Sequence, residues 1–135
     1  MIGIADADSA EHGTSSENII IAPVACPIPG RRDGAPKLSG ACKLRIIPGS
    51  RLAAIYGDSE IEEEYFCNFE VNPAYHRRME NAGLCAAAFG PNGELRAVEL
   101  REHPFFVATL YQPQLSSTEG RPHPVIVEFV AAASR

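Results

Sequence analysis

Hydrophobic and polar positions change period several times along the chain, and the changes divide it into alternating strands and helices. Ile19-Ile-Ile-Ala-Pro-Val-Ala-Cys26 is a β-branched run cut at Pro23, and Leu38 to Ile47 is a second strand candidate ending in the turn Pro48-Gly49-Ser50. Arg51 to Tyr56 then reads as a short helix closed by Gly57, because glycine accepts the left-handed backbone that ends helices. Tyr65 to Val71 is a strand running into a helix over Ala74 to Asn81, with Asn72 as its cap, Pro73 in the first turn and Gly83 as the stop. Leu84 to Phe89 and Leu95 to Leu100 make a hairpin around Gly90-Pro-Asn-Gly93, since Asn-Gly favours a tight turn. Alternation in its second arm leaves one face wet, which predicts an outer strand. Phe105 to Tyr111 is apolar, β-branched and aromatic and predicts a buried central strand. A polar loop, Ser116 to Pro122, separates it from a helix over about Pro124 to Ala133 that lays Val125, Ile126, Phe129 and Val130 on one side.

This order predicts a single α/β domain over residues 1–135, a mixed sheet with flanking helices and a β-hairpin. An apolar fraction of 45% supports a packed core, and eleven glycines with eleven prolines fit a fold rich in turns. Met1 to Ile4 is a short apolar start, and Ala5 to Asn18 is an acidic, polar loop. A net charge of −5 gives no electrostatic reason to expect nucleic acid or an anionic membrane as partner. No apolar run approaches the roughly 18–20 residues of a membrane span, and the N-terminus lacks a charged-then-apolar leader, so the cytoplasm is the expected address.

Candidate chemistry is sparse. Cys26, Cys42, Cys67 and Cys85 are far apart with no C-x-x-C, which is poor spacing for zinc and fits reduced thiols in a core. Glu60, Glu62, Glu63 and Glu64 form an acidic run that reads as a solvated turn, because successive side chains diverge on a helix or a strand alike. Arg31 and Arg32 suit a phosphate, though an exposed solubilising loop from Pro27 to Lys37 explains them as well. His103 and His123, each followed by proline, read as structural before catalytic. No motif implies a metal or a cofactor.

Several words nevertheless carry a family resemblance. His103-Pro-Phe-Phe-Val-Ala-Thr-Leu-Tyr-Gln112-Pro-Gln114-Leu-Ser-Ser117, followed by His123-Pro-Val-Ile-Val-Glu-Phe-Val, resembles the end of a class I glutamine amidotransferase domain of the CTP synthase type. There the words read HPFF-V-x-x-Q-F-H-P-E-F-x-S and HPLF-x-x-F-x-x-A. Lys43 to Gly57 is similar to the family's C-x-L-x-P-G-S-x-A-x-x-x-Y-G, and Glu63 to Tyr75 to its E-R-H-R-H-R-Y-E-V-N-P-x-Y. Ile2 to Glu11 looks like the words that follow the helix behind the nucleophile. The resemblance implies a partial flavodoxin-like amidotransferase fold, entered after the nucleophile elbow.

What the resemblance implies about chemistry is mostly subtraction. The family's triad histidine and glutamate fall at Gln112 and Gln114, and a neutral amide has no titratable proton with which to serve as base or orienter. The family's basic residues that help hold a substrate carboxylate fall at Glu64, Tyr65, Phe66, Cys67 and Asn68, leaving no cation there. Three readings follow. In the first, a non-catalytic amidotransferase-like domain binds a small polar ligand or a partner, with Tyr111, Gln112, Gln114, Ser116, Ser117, Cys67, Asn68 and Glu70 as pocket candidates. In the second, the chain is part of a glutamine amidotransferase, completed by an N-terminal half or paired as a homodimer. The third is thiol chemistry at Cys67 or Cys26, against which the neighbouring glutamates act by disfavouring a thiolate.

Overall fold

Among the residues that the computed structural model describes, 2–13, 15–23, 39–66 and 68–135, the chain builds two sheets flanked by short helices. Cys26, Cys67 and the Arg31-Arg32 pair lie outside the described residues. The smaller sheet joins β1 (Asp8–Ser9), β2 (Ile19–Pro23) and β5 (Phe69–Val71), with β1 parallel and β5 antiparallel to β2. The larger sheet has the order β4-β3-β6-β7-β8 and is antiparallel throughout. Its strands are β3 (Ser39–Ile46), β4 (Glu60–Phe66), β6 (Leu84–Phe89), β7 (Leu95–Leu100) and β8 (Val107–Thr109). The mixed α/β fold expected from the pattern is therefore present, its mixture of strand directions residing in the small sheet.

Helix α1 (Arg51–Tyr56) shows how local sequence becomes structure. Ser50 Oγ accepts the Ala53 N–H at 3.1 Å, Gly57 closes the helix at φ 70°, and Leu52 drops fully buried onto the sheet. Beneath it lie Leu44 and Ile46 of β3, Ala87 and Ala88 of β6, and Ala97 of β7; Tyr111 and Val125 complete this core. Helix α2 (His76–Asn81), entered through a 3₁₀ turn at Pro73–Tyr75 capped by Asn72, packs Met79 with Leu95 and Val98 in a second cluster. The β6–β7 hairpin turns at Gly93, φ 86°, where the Gly90 N–H donates to the Glu94 carbonyl at 2.8 Å.

Several expectations change. The acidic run is strand β4, with Lys43 opposite Glu62 and Cys42 opposite Glu63, rather than a solvated turn. The span from Tyr65 to Val71 divides between β4 and β5, which belong to different sheets. Strand β7 is interior and enclosed instead of outer; its polar positions are buried because they are paired, Glu99 accepting from the Arg51 backbone N–H at 2.7 Å and meeting Arg101 Nε at 3.4 Å. The predicted central strand contracts to β8 at the end of the described sheet, and a short helix not expected from the sequence, α3 (Pro113–Ser116), follows before the loop. Of the apolar face predicted for α4 (Pro124–Ala133), Val125 is buried, while Phe129 and Val130 are 54% and 55% exposed.

Candidate functional site

The end of β8, the middle of β4 and the start of α4 meet at a buried polar cluster. Because side chains alternate along a strand, β4 turns Ile61 and Glu63 toward the core and leaves Glu62 and Glu64 exposed. Glu63 Oε1 lies 2.6 Å from the Tyr56 hydroxyl and 2.9 Å from His123 Nε2. The Tyr56 hydroxyl is also 3.2 Å from that of Tyr111 and 3.2 Å from His123 Nε2, and the Tyr56 ring stands edge-on to the imidazole. Four side chains from β4, α1, the strand-end residue Tyr111 and the α4 cap thus share one junction.

Hydrogen bonding assigns the protons. His123 Nδ1 accepts the Val125 N–H at 3.2 Å and caps α4, so the ring proton sits on Nε2 and points at Glu63. Both ring nitrogens are thereby engaged. Burial, then the neighbouring Tyr111 and Glu63, pushes the Tyr56 phenol far above its ordinary range; burial does the same to Tyr111. Both phenols consequently remain donors. Ser117 Oγ accepts the His123 backbone N–H at 3.1 Å, fixing the loop that presents the ring.

A cavity of about 370 Å³ opens beside this cluster, lined by Tyr56, Ile61, Glu62 to Glu64, Ser116 and the segment Arg121 to Pro124, with Ala41 at one edge. Of the residues singled out in the sequence, Ser116 lines it, while Tyr111 and Ser117 support its wall through the bonds just described. Gln112 is the N-cap position of α3 and donates its backbone N–H to the Glu64 carbonyl at 2.9 Å; Gln114, two residues on, is exposed. Glu70 is buried on β5, and Asn68 precedes that strand; neither lines the cavity. His103 is exposed, its Nδ1 accepting the Phe105 N–H at 3.1 Å in the turn before β8.

Sequence reasoning missed Tyr56 and Glu63. The available signal was the pairing of the Tyr56-Gly57 helix end with a glutamate of odd parity in a run long enough to be a strand. Among the described residues no group of three His, Cys, Asp or Glu side chains converges as a metal site, and no helix is long and apolar enough to cross a membrane. Cys42 and Cys85 are free thiols on β3 and β6.

Comparison with known proteins bears on this arrangement. The CTP synthase of Cytophaga hutchinsonii is 35% identical over 135 residues, covering 99% of this chain and 25% of that protein. The CTP synthase of Chloroflexus aggregans is 33% identical over 140 residues, with 100% and 25% covered. The solved glutaminase domain of Trypanosoma brucei CTPS, with bound acivicin, superposes with a TM-score of 0.87 at 32% identity, covering 98% of this chain and 52% of that one. The chain is a glutamine amidotransferase-like domain related to CTP synthase. No family model matches it. This CTP synthase-related domain spans about a quarter of the length of the curated relatives it matches. Within it, Gln112 stands beside β4 through the Gln112–Glu64 backbone bond, one residue along the strand from Glu63.

Proposed function

We propose that this CTP synthase-related domain is non-catalytic and serves as a binding module for a small polar ligand. The observation that carries the reading is the pair of amides, Gln112 and Gln114, at the two positions where the resembling family has its base and orienter. His123 supports it: with Nδ1 used by the α4 backbone and Nε2 by Glu63, the ring has no free nitrogen to take a thiol proton. The cavity beside it is of ligand size and mixes polar and apolar walls. Ammonia release from glutamine is the test. No rate above that of the heat-inactivated protein is expected, and a robust rate defeats the reading.

A second reading is favoured by one set of surfaces. The described sheet ends at β8 with an unpaired edge, and Leu115, Val127, Phe129 and Val130 are 48–55% exposed on the adjoining helices. The chain matches 52% of the solved glutaminase domain, so the remainder of such a domain, or a second copy of this chain, fits as the cover for these surfaces. Here the chain is one part of a glutamine amidotransferase. Sedimentation of the isolated chain distinguishes the two: a stable dimer or hetero-complex supports the second reading, and a monomer at high concentration counts against it. A cytoplasmic address belongs to the same proposal, and cell fractionation tests it.

A further inference from the structure

Strand β8 ends the larger sheet, and its outer side is built to pair. The Leu110 N–H donates to the Arg96 carbonyl at 2.9 Å and the Leu100 N–H to that of Phe106 at 3.2 Å, with Ala108 opposite Val98 between them. Residues of even number therefore direct their backbone groups to β7. Alternation turns the N–H and C=O of Val107 and Thr109 the other way, to the side where no described strand lies. Folded proteins blunt such an edge with lysine, proline or a bulge. Between Pro104 and Pro113 this one carries no charged residue.

Both faces beside that edge are apolar. On one side Val107 and Tyr111 turn into the main core, where Phe105 at the entry to the strand meets Phe129. On the other side Ala108 and Leu110 line a cavity of about 180 Å³ together with Val98 of β7, Ile21 of β2 and Val71 of β5. Ala108 is exposed there, and Arg96, which also lines the cavity, is buried and meets Glu94 at 3.5 Å. An amphipathic strand laid along β8 would press its polar side chains against one apolar face, where they lose water and find no hydrogen bonds. A strand apolar on both faces suits both sides, as in a sheet covered on each face.

We propose that β8 is a docking edge for one added strand, apolar on both faces and free of charge, belonging to a polypeptide that supplies the rest of a glutaminase-type domain. Main-chain bonds to Val107 and Thr109 hold it, and alternate side chains fill the groove between the two sheets. Length favours this occupant: 98% of this chain superposes on only 52% of the solved domain, so almost as much chain again lies there outside the superposed part. A second copy of this chain only repeats the superposed part. The inference rests on the reading of the chain as one part of an amidotransferase, yet the two fail separately. A complex that forms through another surface leaves that reading standing and defeats the assignment to β8.

Fluorescence anisotropy of labelled peptides titrated with the full chain tests it. The probe is Lys-Lys-Val-Ile-Ala-Val-Val-Lys-Lys with blocked ends, set against a peptide of the same length that alternates valine with lysine, and against the probe methylated at every amide of its apolar stretch. Saturable binding of the first and of neither control is expected. Ala108→Lys, which sets a charge at the mouth of the groove, should weaken the probe by about tenfold or more, while Glu80→Gln on α2 should leave it unchanged. Absence of saturable binding, equal binding of the alternating or the methylated peptide, or full affinity in folded Ala108→Lys each overturns the proposal. So does a dimer that Ala108→Lys makes monomeric, since it assigns the edge to a second copy. The peptide comparison needs no variant, so failure of a variant to fold leaves the test intact.

Discussion

Glu63 and His123 lie 60 positions apart in the chain and 2.9 Å apart in space. Removing the imidazole takes away the α4 cap, worth about 1 kcal/mol, and one of the two donors on a buried carboxylate, worth roughly 1–3 kcal/mol. His123→Ala should therefore cost about 2–4 kcal/mol in urea unfolding, and a loss within about 0.5 kcal/mol contradicts the assigned role. The phenols add a pH dependence whose sign follows from burial. Tyr56 and Tyr111 ionise above their ordinary value of 10.0 in the fold, so below that pH both states hold their protons and stability is undiminished. Above it the unfolded chain loses its phenolic protons first, and stability falls as pH rises. Thermal melts across alkaline pH should show that fall, and Tyr56→Phe should flatten it. None of this was legible in the sequence, because four glutamates within five residues look solvated until a partner 60 positions later brings one of them indoors.

At the level of elements, local signals were reliable where one residue decides one backbone conformation. Ser50 and Gly57 bracket α1, and Asn92-Gly93 turns the hairpin, as their chemistry requires. Ser50→Ala should cost about 1 kcal/mol. Leu52→Ala, which empties a fully buried position between α1 and the sheet, should cost about 2–5 kcal/mol, both by denaturant midpoint at constant slope. Pattern misled where burial of polar groups depends on distant partners. The alternation in β7 reads as one wet face, but Glu99 is taken indoors by the Arg51 N–H of α1 and the Arg101 guanidinium. The α4 face reads as buried, but only Val125 and its neighbourhood find a core. Phe129 touches Phe105, with ring centroids 5.8 Å apart, and is otherwise open. Phe129→Ser should shift stability by no more than about 0.5–1 kcal/mol and should reduce any self-association seen in sedimentation.

Across the whole molecule, the ordered succession of family-like words over most of the chain carried more information than any periodicity. Those words placed the chain beside CTP synthase, and the superposition on a glutaminase domain agrees. The proposed function rests on Gln112 and Gln114, which are visible without coordinates. The cavity was not, because its lining comes from β3, the end of α1, β4 and the residues before α4, brought together only by folding.

The long reach of the junction between β4 and the α4 cap also bears on how the molecule assembles. Pairing of β3 with β4, and of β6 with β7, closes short loops, whereas the Glu63–His123 contact must close a much larger one and gains nothing until the sheet exists. Such a contact is expected to form after the rate-limiting barrier, in which case its loss accelerates opening and leaves the refolding limb of a chevron where it was. Stopped-flow measurements on His123→Ala should find the entire deficit in the unfolding rate, which would make this one imidazole the latch that sets the lifetime of the folded chain.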